Sequence, residues 1–205
     1  MTSNWEDPEA QESFQTLLSD TSVHPAVRTL LAREYPGTSE LFPIFVSHSF
    51  AVALNSVFLA QQCGADAAFV REAAWLHDIG IKFTHAPGIH CYGEAPYLQH
   101  GVLGRELCDE IGLHKHGLVC ERHVGTGFTQ EDIREGKLPL PYREMLNKSL
   151  EERLICYVDQ FFSKSGRQVL TLEVVRSKIA HHGSASLERF ESLQKEFGGY
   201  ALSGV

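Results

Sequence analysis

The sequence predicts an all-α fold in a single domain. Apolar residues recur at helical spacing in one segment after another, and the interruptions between these segments fall at Pro and Gly. With 205 residues, 43% of them hydrophobic, the chain is long enough to bury one sizeable core. Metal-type side chains fall on the inner faces of several of these helices, which predicts a metal site in the core of the bundle.

Residues 9–20 and 24–34 carry helical patterns, the second entered through Pro25 near its first turn. They read as an N-terminal helical extension over residues 1–40, closed by Pro36-Gly37, ahead of a central domain over 41–165. In the run Ser47 to Leu59, the residues His48, Val52, Asn55 and Leu59 share one helical face, which should point inward. Ala67 to Ile81 reads as a helix with Phe69, Ala73, Leu76 and Ile79 close to 3.6-residue spacing and a stop at Gly80. Near its end stands the pair His77-Asp78. Two adjacent polar groups on a buried face cost stability unless both are satisfied, and a metal ion would satisfy them.

Phe83 to Pro96, rich in Gly, Pro and aromatic residues, is the longest irregular segment. His85, His90, Tyr92 and Glu94 in it are candidates for substrate contact. Leu98 to Ile111 resumes a helix that Gly112 can end, and His114 to Val124 forms a short helix carrying His123. Residues 129–136 suggest an N-capped helix, with Pro139 and Pro141 in the loop that follows. Ser149 to Asp159 opens on a capping box of Ser149 and Glu152. Its apolar side is Leu154, Ile155 and Val158, which sets Asp159 at the rim of a core. Ser163-Lys-Ser-Gly reads as a turn. Residues 166–205 supply C-terminal helices packed on the same domain, broken at Gly183-Ser184, with Leu187, Phe190 and Leu193 facing the body.

His48, His77, Asp78, His100, His123 and Asp159 are six nitrogen and oxygen donors, and they suggest a site for two divalent ions. Carboxylate and imidazole without thiolate suit manganese, iron, magnesium, nickel or zinc. A competing constellation is Cys108, His114, His116 and Cys120, whose mixed donors could hold zinc. Cys108 on an apolar face reads instead as a buried small hydrophobe, and the two histidines flank Lys115 in an exposed turn. His181-His182 reads as surface or interhelical packing. The five cysteines are odd in number and form no CxxC, so neither a disulfide framework nor a zinc ribbon is indicated.

The order His48, His77-Asp78, Asp159, with HDIG written out at 77–80, resembles the HD superfamily of metal-dependent phosphohydrolases over roughly residues 45–165. That resemblance implies an all-helical HD-type fold in which His48, His77, Asp78 and Asp159 bind metal. Members with a second metal add two histidines between the doublet and the last Asp. The segments HGVLGREL, from His100, and ERHVGTGF, around His123, match those places in the HDIG and HD-GYP branches. The resemblance therefore assigns His100 and His123 to a second ion, with Asp78 bridging both. The stretches ERHVGTGFT and SLEERLICYVDQF are also similar to a small stand-alone HDIG family of unassigned substrate. Two departures bear on chemistry. Gly127-Phe128-Thr129 stands where the HD-GYP branch has Gly-Tyr-Pro, which argues against cyclic di-GMP. Ile81 stands where a lysine often follows HDIG, with Lys82 one residue later.

The expected activity is hydrolysis of a phosphoester, on a nucleotide or related small molecule. Two ions roughly 3.5–4 Å apart, bridged by Asp78 and a water, would lower the pKa of that water and hold it in line with phosphorus. Lys82 and Arg122 are the candidates for further charge stabilisation. Two other classes stay open: a di-iron oxygenase of the same fold, and a sensor that binds a nucleotide without turnover. The net charge of −8, from 18 basic and 26 acidic residues, argues against general nucleic-acid or membrane-surface binding. No apolar stretch approaches the roughly 20 residues a membrane helix needs, and the acidic start MTSNWEDPEAQESF lacks a signal pattern. A cytoplasmic protein is the expectation.

Overall fold

The computed structural model describes residues 7–164 and 169–200. Among them lie ten α-helices in one helical domain: α1 (Pro8–Ser19), α2 (Pro25–Glu34), α3 (Leu41–Cys63), α4 (Ala67–Leu76), α5 (His100–Glu110), α6 (His114–Arg122), α7 (Gln130–Glu135), α8 (Leu150–Asp159), α9 (Leu172–Ala180) and α10 (Ser184–Phe197).

Local chemistry explains most of the boundaries. Asp7, Asp66, Thr129, Ser149 and Thr171 each accept from a backbone N–H in the first turn of the following helix. At α7 the box is reciprocal, because Asp132 also accepts from Thr129 N. At α8 it is not. Ser149 accepts from Glu152 N, but the Glu152 carboxylate takes Lys148 N at 2.7 Å and Arg122 instead of Ser149 N. α3 ends at Gly64, whose φ of 78° suits the left-handed cap.

α3 forms the spine. It packs on α4, α1 and α8, and the four residues expected on its inner face, His48, Val52, Asn55 and Leu59, are all buried. Phe14 of α1 meets Phe42 edge-on and Trp75, and Tyr35 stacks on Phe45 with centroids 3.6 Å apart. Tyr157 of α8 and Phe161, just beyond its end, pack against Phe190 of α10. One expectation needs correcting. The 23 residues of α3 are long and apolar enough to cross a membrane, yet 61% of its most apolar stretch is buried inside the protein. The polar His48, Ser49 and Asn55 interrupt the apolar pattern, so the sequence predicts only the shorter run Ser47 to Leu59.

The segment after the doublet is less irregular than its composition suggests. Three short strands, β1 (Thr84–Ala86), β2 (Cys91–Tyr92) and β3 (Ala95–Pro96), form a small sheet in the order β2-β1-β3, antiparallel on one side and parallel on the other. This sheet leads through a single 3-10 turn at Tyr97–Gln99 into α5.

Candidate metal centre

α4 ends four residues before Gly80, and His77 is its C-cap. The chain then turns through Asp78 and Ile79 to a 3-10 turn at Ile81–Phe83, so the doublet sits where backbone leaves the helix and both side chains can face one centre. Gly80 has an ordinary φ of −84°, so space and not conformation requires it. A Cβ there would collide with the backbone at His100 and Gly104, and one at Gly101 would collide with the Cys120 carbonyl. These two glycines let α5 lie directly on the doublet and on α6.

All six expected donors come together. Asp78 is fully buried at their middle, and its two oxygens look in different directions. Oδ2 stands 3.3 Å from His48 Nε2 and 3.4 Å from His77 Nε2, and Asp159 Oδ1 closes this side at 3.0 and 3.4 Å from the same two nitrogens. Oδ1 stands 3.4 Å from both His100 Nε2 and His123 Nε2. The donor atoms of His48, His77 and Asp78 lie within 4.8 Å of one another, as do those of Asp78, His100 and His123.

The donor set fits divalent cations. His77, His100 and His123 each present Nδ1 to the carbonyl three residues earlier, Ala74 at 2.6 Å, Tyr97 at 2.7 Å and Cys120 at 2.8 Å. A carbonyl only accepts, so these Nδ1 atoms carry protons and a neutral ring leaves a lone pair on Nε2. His100 and His123 thus point two lone pairs at each other across 3.2 Å. His48 and His77 face each other at 3.1 Å. Two lone pairs at that distance, as at His100 and His123, repel unless a cation lies against them. Both Asp78 oxygens and Asp159 Oδ1 are buried with no well-directed hydrogen bond, so these carboxylates depend on positive neighbours.

The two carboxylates draw positive charge to this centre. Burial opposes a charged His77, but Asp78 and Asp159 outweigh it and raise its pKa to about 9. Burial dominates at His100 and lowers it to about 3, which keeps that ring neutral. Burial also opposes ionisation of Asp78, yet Lys164 and His77 hold its carboxyl well below the ordinary range.

Lys164 is the residue that sequence reasoning missed. Its Nζ is 2.7 Å from Asp78 Oδ2 and 3.9 Å from Asp159 Oδ1, with the side chain only 15% exposed. The two cations expected from the sequence lie elsewhere. Lys82 Nζ is 2.8 Å from Glu34 Oε2 and also donates to the Glu34 carbonyl. Arg122 Nη1 donates to both oxygens of Glu152, at 3.0 and 2.9 Å. The zinc constellation does not assemble. Cys108 and Cys120 are buried with sulfurs 3.9 Å apart, whereas His114 pairs with Asp109 and His116 with Glu72.

Two cavities open at the centre and share Tyr97, Asp159, Gln160, Lys164, Ile179 and His182. The wider, of about 680 Å³, runs past His100 and His123 to Phe128 and α7. The narrower, of about 480 Å³, runs between Gly88, Ile89 and α9. Neither is lined by His85, His90, Tyr92 or Glu94. His90 pairs with Glu40, and Tyr92 is 67% exposed.

No family model and no solved structure matches the chain. It is 37% identical over 120 residues to an uncharacterized protein of Methanocaldococcus jannaschii, covering 56% of this chain and 63% of that one. It is 28% identical over 152 residues to a tRNA (cytidine(56)-2'-O)-methyltransferase of Thermoplasma volcanium, covering 73% of this chain and 40% of the relative. A segment of 64 residues, 31% of this chain, is 42% identical to 10% of a ribonuclease Y of Aliarcobacter butzleri. The chain therefore spans less than two thirds of each of these relatives.

Proposed function

We propose that the chain is an HD-superfamily phosphohydrolase, dependent on divalent metal ions, that cleaves a phosphoester of a nucleotide or related small molecule. The observation that carries the reading is the single buried Asp78 carboxylate shared between two nests, His48, His77 and Asp159 on one oxygen and His100 and His123 on the other.

His48, His77, Asp78 and Asp159 would hold one ion and Asp78, His100 and His123 the other. Ions bound there supply Lewis acidity toward a phosphoryl oxygen and lower the pKa of the attacking water. The chain does the rest. The three pinned imidazoles orient their lone pairs through backbone carbonyls, so ligand geometry is set before any ion arrives. Lys164, at the junction of the two cavities, faces the developing negative charge on the phosphoryl oxygens, the part that Lys82 was expected to play. Water oxygen joins phosphorus, the phosphorus–oxygen ester bond breaks, and the departing alkoxide takes up a proton. The RNA-directed names of the relatives belong to whole proteins of which this chain spans 40% and 10%, and the acidic net charge of −8 favours a small substrate over a polymer.

The test is elemental analysis of the purified protein beside phosphate release from mono-aryl and bis-aryl phosphates with manganese, nickel or magnesium. About two ions per chain with metal-dependent release is the expected result. Two irons with oxygen consumption and no release would overturn hydrolysis in favour of an oxygenase.

A further inference from the structure

The two cavities that meet at the centre differ in charge. The wider is lined by Leu98, Val124, Phe128 and Leu138, with Asp132 and Glu135 among its lining residues. Asp132 is engaged by Thr129 N and Arg189, whereas Glu135 is exposed. Lys164, His182 and Asp159 line both cavities, and Lys178 is the charged side chain that lines the narrower alone. Lys178 lies in the last turn of α9 and His182 in the turn that follows the helix, and both line this cavity. Among the described residues neither has a carboxylate partner, although Arg176 on α9 itself pairs with Glu191, Arg153 on α8 with Glu196 and Arg189 on α10 with Asp132.

We infer that Lys178 and His182 form an anion subsite beside the metal centre, and that the substrate is an organic phosphate carrying a second phosphate group. The inference rests on the phosphohydrolase reading and makes it more specific. The reacting phosphoryl group lies where the two cavities meet, beside the His/Asp cluster and Lys164. The second phosphate enters the narrow cavity, where an ammonium and an imidazole N–H donate to it. The uncharged part of the molecule enters the wide cavity, whose apolar wall suits a planar ring and whose Glu135 can accept from an amino or hydroxyl group. Lys178 at the unshared end of one cavity and Glu135 at that of the other fix which way round the molecule binds, because reversing it would bring phosphate to Glu135.

The test is calorimetric binding of adenosine 5'-monophosphate, adenosine 5'-diphosphate and adenosine 3',5'-bisphosphate to the manganese-loaded protein and to the double variant Lys178→Glu, His182→Ala. At least one two-phosphate probe should bind about tenfold tighter than the monophosphate, the size of one charge-assisted hydrogen bond. That advantage should vanish in the variant. If no two-phosphate probe gains over the monophosphate, if none of the three binds, or if the gain survives in the variant, the subsite is overturned. Binding is read without turnover. A gain that depends on Lys178 and His182 in a protein that hydrolyses nothing would keep the subsite and remove the hydrolase, and hydrolysis without the gain would do the reverse.

Discussion

Lys164 Nζ lies 2.7 Å from Asp78 Oδ2, which puts an ammonium against a fully buried carboxylate in the middle of four histidines. Asp159, 3.9 Å from the same nitrogen, shares it. The lysine compensates two acids that burial would otherwise keep neutral.

Lys164→Met should therefore destabilise the protein in the presence of a chelator by about 3–5 kcal/mol, the usual cost of breaking a buried pair. Excess manganese should restore most of the loss, since a divalent ion compensates the same carboxylates. Urea unfolding with EDTA and with manganese measures both. Equal stability of variant and parent in EDTA would show that the pair carries no weight.

Asp78→Ala should abolish metal binding and turnover together, because both nests lose their shared oxygen donor. The double change His100→Ala, His123→Ala should remove one nest only, taking metal content from about two ions per chain to about one. Elemental analysis after gel filtration reads the difference. Full occupancy in Asp78→Ala would mean that the bridge is misassigned.

Gly80→Ala places a methyl group against the backbone of His100 and Gly104, neither of which can rotate away. The expected loss is about 2 kcal/mol, together with weaker metal binding, since α5 carries His100. Denaturant midpoints and metal titration check the two halves independently. A variant as stable as the parent would show that α5 shifts freely.

Arg122→Ala leaves the buried Glu152 without its guanidinium and should cost roughly 3 kcal/mol. Lys82→Ala breaks a partly exposed pair with Glu34 and should cost about 1 kcal/mol or less. Chemical denaturation ranks them. A fall in kcat per folded molecule without the stability loss would return either residue to a part in the chemistry.

His48, His77, Asp78 and Asp159 were legible in the sequence because each sits in or beside an apolar helical run, where a buried polar group needs a partner, whereas His100 and His123 were marked by the resemblance of their segments to the HDIG branch. Neighbourhood in sequence misled the reading for the cations. Arg122 precedes His123, but one residue along a helix is a rotation of about 100°, and the side chain reaches Glu152 on α8. Lys82 lies on a 3-10 turn that swings it to the end of α2. Lys164 was hidden for the opposite reason. Ser163-Lys-Ser-Gly has the composition of a solvated turn, and its lysine is buried only because the end of α8, Tyr97 and α9 converge on it, a tertiary arrangement with no local pattern. The small sheet at 84–96 was missed because its strands are two or three residues long, shorter than any period can register.

Three of the four imidazoles take their orientation from main-chain oxygens one helical turn behind them, at Ala74, Tyr97 and Cys120. Main-chain oxygens do not change when side chains are substituted. Residues lining the two cavities can therefore be exchanged without tilting the rings, so a library varied at Leu98, Phe128, Glu135, Lys178 and His182 would explore new substrates on a centre whose aim stays fixed.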